Sequence, residues 1–72
     1  MVAVPDDLRN DALEAGAVCA VAFRASVWAW FRDAAARERF VSAAAERGCI
    51  VRTEPAARRE ELFVVAVIAQ EQ

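Results

Sequence analysis

No histidine, lysine or tyrosine occurs in this chain, and glycine, proline and cysteine occur only twice each. Without histidine there is no imidazole general base, no Ser-His or Cys-His pair and no His-ligated metal within one chain. Without lysine, Ser26, Ser42 and Thr53 also lack an alternative base. Gly16 and Gly48 stand far apart, so there is no glycine-rich phosphate loop. Cys19 and Cys49 are 30 residues apart, with neither zinc-ligand nor redox-pair spacing, and two buried, inert thiols are the expectation. These absences predict a chain that is not an enzyme and carries no metal or other cofactor.

What is present is a large apolar fraction in a short chain. Residues 1–72, 58% hydrophobic and 28% charged, have enough to bury for one small folded domain and too little for two cores. Uncharged runs such as Ala15 to Phe23 are far too short to span a bilayer. Asp6 and Asp7 interrupt any leader-like start, so a soluble, cytoplasmic protein is expected. Eleven acids against nine arginines leave a net charge of −2, which is no basic footprint for nucleic acid. The eighteen alanines and the use of arginine as the sole base read as coding bias. Arginine's planar fork nevertheless suits an acidic protein partner.

The spacing predicts a helix from Pro5 to Ala15, started by proline and two acids, ended by Gly16, with Leu8, Ala12, Leu13 and Ala15 as its apolar stripe. Ala17 to Ala25 is ambiguous between an extended connector, an extra turn and a strand. Ser26 to Phe31 reads as a strand with Val27, Ala29 and Phe31 on one face and Trp28 and Trp30 on the other. Asp33 caps a second helix, Ala34 to Arg47, where it can pair with Arg37. In that helix Ala36, Phe40, Ala43 and Ala44 recur at helical spacing and Gly48 supplies the stop. Cys49 to Glu54 is a strand ended by Pro55. Leu62 to Ala69, apolar at every position, is a strand from the middle of a sheet. The order predicts an α+β fold: an N-terminal helix and then β-α-β-β, a partial ferredoxin-like sandwich with antiparallel sheet order 1-3-2.

One long helix covers one face of such a sheet, and the other face needs the short helix, a second copy or another protein to cover it. The first strand also offers an edge without proline or lysine. Trp28 and Trp30 are core residues or interface anchors. With Phe63 and Val65, and Arg58 and Arg59 at the rim, they make the expected protein-binding set. A homodimer is the structural alternative. A single-stranded RNA module, stacking bases on Trp28 or Trp30 with Phe63, is a third reading. Glu60 and Glu61 beside the arginine pair count against it. The carboxylates Asp6, Asp7 and Asp11 fit a solvated helix start better than acid-base chemistry.

The runs LRNDALEAGA (8–17), WAWFRDAAARERFVSAAAERGCIV (28–51) and ELFVVAV (61–67) resemble the regulator of ribonuclease E activity B family. In that family a helix ends near Ala-Gly, a strand ends in an aromatic before an acidic helix cap, and the helix closes with Gly before an apolar strand. Here Ala29 and Trp30 precede Phe31, where the family often carries histidine. The resemblance implies a ferredoxin-like protein that binds an RNA-degrading enzyme and restrains it without being a nuclease. Together the residues and the resemblance predict a bacterial, non-enzymatic regulator acting through an apolar sheet face or edge.

Overall fold

A proline at the first position and two acids in the first turn start helix α1, Pro5–Ala15, over the expected span. The computed structural model describes residues 5–68, without the side chains of Pro5, Arg59 and Glu60; Ala69, expected in the last strand, lies outside the described residues. Leu8 and Ala12, one turn apart, form the buried line of α1, whereas Leu13 is rotated off that line and exposed. Gly16 follows at φ +119°, where a Cβ would come within 3.1 Å of the Ala36 Cβ. Only glycine allows both that turn and that approach.

The ambiguous segment contains a strand, β1 (Cys19–Phe23), which forms an antiparallel hairpin with β2 (Ser26–Phe31). Phe23 pairs with Ser26, so the turn has two residues. Arg24 takes the left-handed conformation, φ 57°, that such turns usually assign to glycine or asparagine. Cys19, Val21 and Phe23 alternate with Ala20 and Ala22, but alanine has little strand preference and the turn lacks its usual residues.

The Asp33 carboxylate accepts hydrogen bonds from the backbone N–H groups of Ala35 (3.4 Å) and Ala36 (3.3 Å) and so caps α2, Ala34–Glu46. Its buried side is Ala36, Phe40 and Ala44, with the Phe40 ring 5.6 Å from that of Phe31. Arg37 does not turn back to Asp33. It pairs with Glu38 at 3.3 Å, and its guanidinium lies 4.5 Å from the centre of the Phe63 ring. Two further arginines join the helices: Arg39 donates to the Ala15 carbonyl (3.0 Å), and Arg47 pairs with Asp11 (2.7 Å). The first contact places a cation at the negative end of α1.

A second hairpin, β3 (Ile50–Ala56) and β4 (Arg59–Ile68), completes a sheet of order β1-β2-β4-β3 with every neighbouring pair antiparallel. The expected three-stranded sheet of order 1-3-2 is therefore corrected to four strands. β4 lies in the interior, as its unbroken apolar run requires. β2 is no longer an edge, because β1 pairs along its outer side. β3 continues through Pro55 instead of ending before it. A missing N–H is tolerated on an edge strand, and the ladder is irregular at Pro55/Ala56.

Leu8 and Ala12 of α1, Ala36, Phe40 and Ala44 of α2, and Val27, Ala29, Phe31, Val65 and Val67 of the sheet form one buried core. Successive strand residues point to opposite faces, so this membership puts both helices on the same side of the sheet. The fold is α+β: among the described residues, two helices lie over one face of a four-stranded antiparallel sheet. α1 does not cross the second face.

Candidate protein-contact surface

The strand register sorts every sheet residue onto one face or the other. On the helix-covered face, Ala29 pairs with Ala20 and Val65, Val27 with Ala22 and Val67, and Phe31 with Phe63. On the opposite face three rows cross the sheet. The first is Phe23, Ser26, Ile68 and Ile50; the second Val21, Trp28, Ala66 and Arg52; the third Cys19, Trp30, Val64 and Glu54.

This second face is predominantly apolar, and among the described residues no helix covers it. Val21, Phe23, Trp28, Ile50 and Ile68 are each between 40% and 59% exposed. Val64 and Ala66 are buried within it, held in register between the tryptophans of β2 and the charged residues of β3. The Trp28 indole N–H donates to Ser26 Oγ at 3.3 Å, and the Ser26 hydroxyl donates to the Phe23 carbonyl at 2.7 Å. That chain ties the indole to the β1–β2 turn, so a large side chain is oriented on an open surface at low further entropy cost.

Trp28 and Trp30 lie on this face as the sequence arranges them, Trp28 exposed and Trp30 half-buried. Phe63 and Val65 do not join them. Their parity along β4 turns them to the helix side, where Val65 is fully buried and Phe63 is half-buried under Arg37. The expected contact set is corrected accordingly, with Val64 and Ala66 taking the register positions beside the tryptophans. Arg58 is exposed in the β3–β4 turn, and the Arg59 side chain lies outside the described residues. A base-stacking platform of Trp28 or Trp30 with Phe63 is not assembled, because those rings stand on opposite faces.

Sequence reasoning did not assign to this surface Cys19, Val21 and Phe23 on β1 or Ile50, Arg52 and Glu54 on β3. The alternation of Cys19, Val21 and Phe23 carried the signal for the first set. The second set needed the parity of β3 relative to β4, which only pairing supplies. The expectation of two buried thiols is also corrected: Cys49 is partly buried against the core, but Cys19 is exposed on the open face.

Among the described residues, no group of three or more His, Cys, Asp or Glu side chains could hold a metal ion, and no helix is long and apolar enough to cross a membrane. Compared with protein-family models, curated proteins and solved structures, the chain matches none of them.

Proposed function

We propose that this chain is a non-enzymatic protein-contact module that works through the open face of its sheet. The observation that carries this reading is the set of five large apolar side chains left 40–59% exposed on the face opposite both helices. A folded domain seldom keeps so continuous an apolar patch without a protein to cover it. Tryptophan suits the centre of such a contact, because it removes much apolar area from water while losing few rotamers. The absence of histidine and lysine fits a role in binding.

The architecture that accompanies this reading is ferredoxin-like. β2-α2-β3-β4 forms the split β-α-β-β unit, and α1 with β1 adds a helix and an edge strand from the N-terminal side. The resemblance to the regulator of ribonuclease E activity B family supports a second, narrower reading, in which the covering protein is an RNA-degrading enzyme and the module restrains it.

Trp28→Ala tests both. The variant should still unfold cooperatively, with a stability loss of about 1–3 kcal/mol for the part of the indole that is covered, and it should lose association with the protein that covers the face. Unchanged association by the folded variant excludes the open face as the contact surface. For the narrower reading, the wild-type chain should slow cleavage of a structured RNA by ribonuclease E and Trp28→Ala should not. Cleavage that ignores the wild-type chain removes that target.

A further inference from the structure

We infer that the occupant of the open sheet face is a second copy of this chain, related by a two-fold axis that lies between the two sheets and crosses their strands. This rests on the reading of that face as a protein-contact surface and names what covers it.

The first argument is charge. Among the described residues of the three rows, the charged members are Arg52 and Glu54, two positions apart on β3 and on the same face; a further cation, Arg24, stands at the β1–β2 corner with its guanidinium 5.3 Å from the centre of the Phe23 ring. Between their rows runs the line Ala20, Ala29, Val65, Thr53. An axis along that line places Arg52 opposite the partner's Glu54 and, by symmetry, Glu54 opposite the partner's Arg52. A two-fold contact is self-complementary in this sense, and opposite charges at its edge satisfy each other twice.

The same axis places Trp28 opposite the partner's Trp30 and Ala66 opposite the partner's Val64. Large residues thus meet along β2 and small ones along β4. The other in-plane operator, with its axis parallel to the strands, would lay β3 over the partner's β1. Arg52 and Glu54 would then face Val21 and Cys19 of the partner subunit and lose water without gaining a counter-charge. Charge therefore selects the crossing axis. The rotation of about −30° usual between packed sheets shifts edge positions by only a few Å, which arginine and glutamate side chains can span.

The second argument is area. Across that axis Val21 and Trp28 meet the partner's Cys19 and Trp30, while Phe23, Ile50 and Ile68 stand three residues from it and face the partner's strand ends around Leu62; the exposed parts of all seven amount to roughly 600 Å² of surface. Two copies face to face would thus bury on the order of 1,200 Å², the lower end for a specific interface.

Sedimentation of the full chain from roughly 1 μM to roughly 300 μM tests this. The wild type should pass from monomer to dimer. Arg52→Glu and Glu54→Arg should each weaken the dimer roughly tenfold or more, and the double reversal should restore it, because the swapped pair again meets opposite charges. Thermal unfolding of each variant checks that the fold is kept. Alkylation of Cys19 supplies a second readout and should slow as the dimer fills.

A dimer indifferent to both single reversals, with Cys19 alkylated at the monomer rate, places association elsewhere, such as along the edge of β1. That result overturns the second copy as occupant of the open face and leaves the reading of that face to the Trp28→Ala test. A chain that stays monomeric throughout overturns the second copy alone. Protection of Cys19 and Trp28 by ribonuclease E or by single-stranded oligouridylate, in a chain that does not dimerise, would assign the face to that ligand instead.

Discussion

Gly16 and Gly48 both follow a helix with positive φ, +119° and +78°, but their surroundings differ. A Cβ on Gly48 would meet nothing within 4 Å, whereas one on Gly16 would press on Ala36 at 3.1 Å. Gly48→Ala should therefore cost about 1 kcal/mol, the conformational penalty of a left-handed alanine. Gly16→Ala should cost about 2–3 kcal/mol, because the angle is less favourable and α2 must give way. Urea unfolding of the two variants measures the difference, and equal losses would show that the first turn of α2 yields without cost. Arg24 is the converse case: a non-glycine residue holds a left-handed turn position, so the usual hairpin signal is missing from the sequence.

Helix α1 is eleven residues long, too short to persist in water without docking. Leu8 and Ala12 anchor it in the core, Arg39 binds the Ala15 carbonyl, and Arg47 pairs with Asp11. The Asp11 and Arg47 side chains are 31% and 46% exposed, so water and salt screen the pair. A double-mutant cycle with Asp11→Asn and Arg47→Gln should give a coupling below about 1 kcal/mol that shrinks as salt is added. A coupling that does not respond to salt would show packing, not charge, between the two side chains. The bounds of α1 and α2 were legible because caps, glycines and helical spacing are local signals. β1 was not, since its strand content is diluted by alanine and its turn is built on Arg24.

At the scale of the whole molecule, the described residues form two layers, helices and sheet, and neither helix covers the sheet's second face. Two-layer domains are stable when the apolar side of each layer meets the other; here the sheet is apolar on both sides and the helices cover one. If a second copy supplies the missing layer, association adds to stability by mass action. The thermal midpoint of the wild type should then rise with protein concentration, while that of Arg52→Glu should begin to rise only at a concentration roughly tenfold higher or more. Equal concentration dependence in the two proteins would separate the stabilising contact from β3.

The sequence by itself determined the α+β class, both helices with their caps, and the interior place of β4. Each of these is set by chemistry within a short stretch: an acid before a helix, a glycine after it, a continuous apolar run. The tertiary structure decided which side of each strand is core. Along Leu62 to Ile68 either face is apolar, so local composition cannot distinguish Val65 from Val64, and the face of each residue depends on its pairing with β2 and on where the helices dock. For that reason Phe63 and Val65, chosen from sequence as contact residues, belong on the helix side, and the exposed surface belongs to Trp28, Val21, Phe23 and the Arg52–Glu54 edge.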